Sequence, residues 1–267
     1  MSNVLVDGLE EGITLVTLNR PERRNALSMG LVSDVRDTMK RLAHDRDTRV
    51  VILKGAGAGF CAGADLQDDG TWEETEGLGE VGAIYRMQEH LAEMMLAVHE
   101  LPKPVIAAVH GAAVGGGLAL ALASDLRVAA DTAKFGSVFI KVGLSSCDVG
   151  TSYFLPRLVG PARAFELMTT GRHFDAVEAL EMGLVQSVVA EGEEVEKALE
   201  TARLIVANNE YGVWMTKVGM WTNLEASSPR QAMELENRTQ VLGFFTGNMS
   251  EAISAFREKR APRWKRL

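Results

Sequence analysis

An α/β fold with substantial parallel strand pairing is predicted by three observations. Short β-type runs alternate with amphipathic helical stretches as far as about residue 190. Glycine-rich turns follow the runs that end at Leu53, Val109 and Phe135. Beyond about residue 190 strand signals fade and helical periodicity takes over, which predicts a helical C-terminal region.

The elements follow in order. Val4 to Val6 and Ile13 to Leu18 are β-rich around Asp7-Gly8 and Glu11-Gly12, an opening hairpin that Asn19-Arg20-Pro21 ends. Ser28 is placed to cap a helix whose apolar positions Leu31, Val32, Val35, Met39 and Leu42 keep a helical period. Val50 to Leu53 reads as a buried strand, followed by the small-residue loop Gly55 to Gly59. An acidic, glycine-punctuated stretch from Gln67 to Gly82 lacks periodicity and is expected to be a mobile surface loop. Ile84, Met87, Leu91, Met94, Met95 and Val98 mark a second amphipathic helix, stopped by Pro102-Lys103-Pro104. Val105 to Val109 is a short strand, Gly115-Gly116-Gly117 opens a helix of small residues, and Leu126 to Ala129 returns as a strand. Glu193 to Asn208 and most of Pro229 to Lys259 read as helices. No 20–50-residue repeat and no low-complexity segment is evident.

Composition narrows the function. A chain of 267 residues can bury a large core, and 46% apolar with 24% charged residues is ordinary for a globular protein. A net charge of −8 argues against nucleic-acid binding, which needs a positive surface, but leaves room for a phosphorylated ligand held by a few local groups. No basic segment followed by an apolar run opens the chain, and Val114 to Ala123 is too short and glycine-rich to span a bilayer. With only Cys61 and Cys147 there is no disulfide framework, which fits a reducing cytoplasm. No membrane partner is expected.

Small residues after a strand let a substrate approach the backbone and let amides point at it, although such a glycine is most often only a turn. Gly115-Gly116-Gly117 lacks the spacing of a dinucleotide loop. His90 and His99 stand nine apart on one helix, about 180° from each other, a poor metal pair. No His/Cys cluster has zinc spacing, so no metal is expected. His110 at a strand end reads as structural, and Cys147 is disfavoured as a thiolate by the adjacent Asp148.

Read together, several segments resemble the enoyl-CoA hydratase/isomerase (crotonase) superfamily over nearly the whole chain. They are Asn19-Arg20-Pro21 through Asn25-Ala26-Leu27, Phe60 to Leu66, His110 through Asp125, Phe135-Gly136, Gly143-Leu144 with Gly150-Thr151, and Phe256 to Arg260. The resemblance implies a spiral of repeated β-β-α units over residues 1–195, carrying an acyl-CoA site, and a helical trimerisation region over 196–267. It implies a homotrimer or homohexamer acting on a thioester in lipid metabolism, with coenzyme A as part of the substrate and no separate cofactor. It also implies an oxyanion hole from the backbone amides of Ala64 and Gly116, where two preorganised donors typically stabilise an enolate by a few kcal/mol each. The helix dipole behind Gly116 would add to that. For coenzyme A it points to Arg24, Ala62, Asp65 and Leu66, and to Phe256 and Lys259 supplied by a neighbouring subunit.

The pattern breaks at its two hydratase glutamates, whose places are taken by Ala119 and Phe139, neither able to exchange a proton. One acid remains near the expected site. Asp148, before Gly150-Thr151-Ser152-Tyr153, resembles the proton-exchanging aspartate of dienoyl-CoA isomerases and the nucleophilic aspartate of 4-chlorobenzoyl-CoA dehalogenases. It could instead simply cap the helix that starts near Gly150. The leading expectation is an isomerase or atypical hydratase with Asp148 moving protons. The alternatives are an acyl- or aryl-CoA hydrolase or dehalogenase with Asp148 as nucleophile, or a non-catalytic acyl-CoA-binding protein. The acids Asp68, Asp69, Glu73, Glu74, Glu76 and Glu80 are weaker candidates for reaching the acyl end.

Overall fold

The computed structural model describes residues 2–68 and 72–266. The opening hairpin pairs β1 (Val4–Glu10) with β2 (Gly12–Leu18). Its turn lies at Glu11-Gly12, where Gly12 takes φ +80, a conformation that favours glycine. Strands β3 (Thr48–Gly55), β4 (Val105–Val109), β6 (Leu126–Ala130) and β9 (Ser187–Val189) extend the sheet in parallel, in the order β1-β2-β3-β4-β6-β9.

Both faces of this sheet are covered, which explains its nearly unbroken apolar strands. Because side chains alternate, Val51, Leu53, Val105, Ala107 and Val109 join the large core. Val50, Ile52, Ile106 and Ala108 face the other way, onto Ala198, Leu199 and Ala202 of helix α7 (Glu194–Val206). The large core is closed by α1 (Met29–His44), α2 (Glu80–His99) and α3 (Gly116–Ala123). Ser28 caps α1, its hydroxyl accepting from the Leu31 N–H.

A second, narrower layer holds β5 (Ala112–Val114), β7 (Lys134–Gly136) and β8 (Phe174–Asp175), extended by single bridges between Cys61 and Ala113 and between Leu27 and Ala64. The chain therefore winds as a spiral. Each turn runs through a strand of the main sheet, then an extended piece of the second layer, then a helix: β2, Leu27, α1; β3, Cys61, α2; β4, β5, α3; β6, β7, α4 (Thr151–Val159). The expected β-β-α repetition is present in space.

Helices α5 (Pro161–Thr170) and α6 (Ala176–Glu181) precede β9. After α7 come α8 (Glu210–Asn223), α9 (Pro229–Phe244) and α10 (Asn248–Glu258). The division placed at 195/196 falls in the first turn of α7, a helix seated on the sheet. Helix α8 is tied to the core by Lys217, whose ammonium lies 2.8 Å from Asp125 and donates to the Lys103 carbonyl at 3.0 Å. Among the described residues no helix is long and apolar enough to cross a membrane.

The described residues of the acidic stretch before α2 form a mostly exposed surface loop, as expected, but one with anchors of its own. Glu73–Thr75 forms a 3-10 turn, Trp72 stacks on His90 at 4.2 Å between ring centres, and Glu74 pairs with Arg86 at 2.6 Å. Asp68 accepts from the Met29 N–H, and Asp69 lies outside the described residues.

Candidate active site

The site begins where the second layer meets α3. Leu27 donates its N–H to Gly63 O (2.7 Å) and accepts from the Asp65 N–H (3.1 Å). Those two bonds flank Ala64 and turn the Ala64 N–H away from Leu27. On the far side, Gly63 lies against the start of α3: a Cβ there would sit 2.8 Å from Val114 O and 3.4 Å from Gly116 N. Gly116 is the first residue of α3, where a backbone N–H has no intrahelical acceptor. Such close backbone contact requires glycine at 63, whose φ is +86. It brings the 63–64 and 115–116 backbones together.

Of the residues expected to hold coenzyme A, four gather around this point. The Ala62 N–H donates to Arg24 O (3.0 Å), and Arg24 has the left-handed φ of +50. Leu66 is 81% exposed. The Asp65 carboxylate is occupied internally, by Arg20 at 2.9 Å and the Gln67 N–H at 3.1 Å. Burial alone would raise its pKa, but these donors hold it below the usual carboxylate range. Phe256, 86% exposed, and Lys259, which ends α10 with φ +53, stand elsewhere, on a helix packed against α9.

Ala119 is fully buried in α3, and Phe139 is buried with its ring near Gly115. Asp148 is half-buried in the loop before α4. Its side chain does not cap that helix: Gly150 occupies the cap position and no side chain bonds there. The capping alternative is thereby overturned. Asp148 O instead accepts from the Thr151 N–H (2.8 Å), closing a tight turn with φ +36 at Val149 and +87 at Gly150. Two consecutive positive φ values are the mark of a type I′ turn, which normally uses Asn or Gly; a β-branched residue in it is strained. The Asp148 carboxylate accepts from Gln88 Nε2 of α2 and from the Val149 N–H. Burial pushes its pKa above the usual carboxylate range, against those two hydrogen bonds. Beside Val149 and Gly150 a groove of about 500 Å³ opens between α2, α4 and α8, lined by Met95, His99, Tyr153, Phe154 and Trp221.

The other candidates serve elsewhere. Burial pushes the Cys61 thiol up to about 12, while Cys147 is exposed. His110 donates from Nε2 to Gly57 O at 2.9 Å, a structural bond. His90 joins Ser33 and Arg36, and His99 packs on Phe154 and Trp221. The sequence offered no signal for Gln88, since a glutamine on an exposed helix face reads as solvated.

Residues 8–266 match the family described as enoyl-CoA hydratase/isomerase. The chain belongs to that family. It is similar to a probable enoyl-CoA hydratase of Mycobacterium leprae, 40% identical over 96% of this chain and 88% of the relative. It is also 34% identical to the 1,2-epoxyphenylacetyl-CoA isomerase of Escherichia coli, over 99% of both chains. The solved structure of a probable enoyl-CoA hydratase/isomerase from Mycobacterium abscessus superposes with a TM-score of 0.93 at 40% identity, over 99% of each chain. As an enzyme of this family, the chain carries the crotonase fold in full.

Proposed function

We propose that the enzyme moves a proton on an acyl-CoA thioester, as an isomerase or an atypical hydratase, with Asp148 as the acid–base group. One observation supports this: Asp148 is half-buried and free of a capping role, and the family resemblance implies that Ala119 and Phe139 take the places of the hydratase glutamates. The isomerase name of the Escherichia coli relative supports isomerisation.

In the proposed reaction the thioester oxygen accepts from the Ala64 and Gly116 amides. The Asp148 carboxylate takes a proton from the α-carbon of a 3-enoyl thioester, and the C–H electron pair moves onto the thioester oxygen as an enolate conjugated with the double bond. Return of that proton to the γ-carbon gives the 2-enoyl product. The donors stabilise the enolate more than the ground state, which is what lowers the barrier. The pKa displacement of Asp148 narrows the gap to the carbon acid and lets the protonated form serve as donor. Ala62, Asp65 and Leu66 would hold the adenine end and Arg24 part of the coenzyme A chain, and the groove beside Val149 would take the far end of the acyl group. Phe256 and Lys259 would complete the site of a neighbouring subunit in a trimer or hexamer.

Solvent deuterium incorporation at the α- and γ-carbons of a 3-enoyl-CoA tests the reading. A positioned acid–base group contributes about 10²–10⁴-fold, so Asp148→Asn should lower incorporation at least about tenfold with little change in thioester affinity. Equal incorporation in both proteins would exclude Asp148 as the proton carrier.

A further inference from the structure

We propose that Gln88 is a positioning residue for the reaction, setting the orientation and the proton affinity of the Asp148 carboxyl. This rests on the reading of Asp148 as proton carrier and extends it to a second helix. Gln88 Nε2 donates to Asp148 Oδ1 across 60 positions of sequence, joining α2 to the loop before α4. An amide donor favours the ionised carboxylate, the form that can accept a proton from carbon. Burial acts in the opposite direction. Gln88 thus opposes the burial that would otherwise leave Asp148 protonated and unable to start the reaction.

The geometry around the pair fits this role. The α2 turn that carries Gln88 is held on its other side by a network. Arg86 pairs with Glu74 at 2.6 Å and with Glu93 at 3.0 Å, Arg36 of α1 pairs with Glu93 at 3.1 Å, and His90 bonds both Ser33 and Arg36 of α1. Those contacts fix the helix against rotation, so the amide is presented from a rigid base. On the Asp148 side, the type I′ turn fixes the backbone and the Val149 N–H supplies the second donor. Each end of the hydrogen bond is therefore anchored independently.

Among the described residues, the charged and titratable groups cited from the elements around Asp148 are engaged elsewhere or exposed. From α2, Glu89 lies 3.5 Å from Arg86. From α4, Tyr153 donates to Glu225 at 2.6 Å and Arg157 stacks over the Tyr153 ring at 3.7 Å. His99 packs between Phe154 and Trp221. The loop itself carries Cys147, and the 3-10 turn Val138–Val142 before it carries Lys141, both exposed. Among the described residues, burial, Gln88 and the Val149 N–H are what displace the Asp148 carboxyl; no ion pair does so.

The test uses substitutions of opposite sign at an exposed position, so neither disturbs the core. Gln88→Met keeps length and shape but removes the donor. Gln88→Lys keeps a donor and adds a positive charge. Carbon-13 NMR of protein labelled at the aspartate carboxyl follows the Asp148 titration without any substrate, its signal identified by its loss in Asp148→Asn. The midpoint should rise in Gln88→Met and fall in Gln88→Lys. The acid limb of kcat/KM for 3-enoyl-CoA deuterium exchange should move in the same order. At a pH below the wild-type limb, Gln88→Met should lose about three- to tenfold in rate, the worth of a hydrogen bond to a partly exposed charge, and recover as pH rises. A merely structural role predicts loss in both variants at every pH. Coincident midpoints in all three proteins, with Asp148→Asn inactive, would overturn the role of Gln88 alone. Full activity of Asp148→Asn would overturn the acid–base reading, and the catalytic role of Gln88 with it, whatever the midpoints.

Discussion

Gly117→Ala is the sharpest test of how the backbone site is built. A Cβ at Gly117 would lie 2.1 Å from Cys61 O and 2.8 Å from the Cys61 carbonyl carbon, both backbone atoms. Cys61 cannot slide aside freely, because its N–H donates to Ala112 O at 2.9 Å and its carbonyl accepts from the Val114 N–H at 3.2 Å. Two effects compete. Alanine is favoured over glycine inside a helix by about 1 kcal/mol. Overpacking a core costs about 1–3 kcal/mol, and a clash with pinned backbone belongs at the top of that range. Weakening the two bonds of Cys61 adds about 1 kcal/mol each. The net expectation is a loss of about 2–4 kcal/mol, hence a melting midpoint lowered by roughly 4–8 °C for a domain of this size, at about 2 °C per kcal/mol. Gly116→Ala is the control: its Cβ would meet Leu27 Cδ1 at 2.8 Å, the movable end of a side chain, so its cost should be much smaller. Calorimetry at one scan rate compares the two. A Gly117→Ala protein melting at or above the wild-type temperature would refute the packing argument.

Three further outcomes are expected. Lys217→Met leaves the largely buried Asp125 carboxylate with the Val105 N–H and the Trp221 indole but without its contact ion-pair partner, with the buried Arg127 guanidinium the remaining positive charge nearby, so denaturant unfolding should show a loss of about 3 kcal/mol, the lower end for a broken buried pair. Burial of His90 depresses its pKa below 6.5, so the unfolded chain binds the proton more readily; stability is full above pH 6.5 and falls as pH drops from there to the folded value. His90→Gln should flatten that slope, and equal slopes in pH-dependent urea titrations would contradict it. The protein should sediment as a trimer or hexamer, and Phe256→Ala with Lys259→Ala should weaken coenzyme A binding severalfold by calorimetry; an active monomer with unchanged affinity would disprove the shared site.

What the sequence revealed and what it hid divide along physical lines. The buried strands and the helices α1, α2 and α3 were legible because burial on one or both faces imposes periodicity directly on residue choice, as in Val50–Leu53 and in the Leu31 to Leu42 stripe. The spiral's repetition was invisible as a sequence repeat because its turns differ in length: the main strands begin at Gly12, Thr48, Val105 and Leu126. Single bridges at Leu27 and Cys61 replace whole strands in two of the turns, and one residue leaves no periodic trace. Helix α8 escaped notice because its apolar residues ring the helix: Trp214 and Met220 are partly exposed, while Lys217 is the residue it buries. The anchoring of the acidic stretch was hidden because Trp72 and Glu74 are held by residues on α2 that no local pattern connects to them.

On the proposed reading of Asp148, the turn that carries it explains how a polar group could change place while the backbone donors stay fixed. Left-handed backbone costs a β-branched residue about 1–2 kcal/mol, which disfavours Val149 in a type I′ turn. Val149 is only 8% exposed, however, and burying a valine side chain returns roughly 1.5–2 kcal/mol. The two nearly cancel, so packing can hold a conformation that local propensity rejects. With Val149 locked, its N–H points at the Asp148 carboxylate and the turn's own hydrogen bond from Thr151 holds the loop against α4. None of this draws on the Ala64 and Gly116 amides, which depend on Gly63, Gly117 and the bridges around Leu27 and Cys61. On the proposed reading the two halves of the site rest on separate contacts, so an aspartate on the loop before α4 would take up the proton, with Ala119 and Phe139 in the places of carboxylates, while the backbone donors kept their arrangement. Failure of the Asp148 half would leave thioester binding intact, whereas failure of the Gly117 half would remove the carbonyl site, and with it turnover, while the coenzyme A contacts could persist.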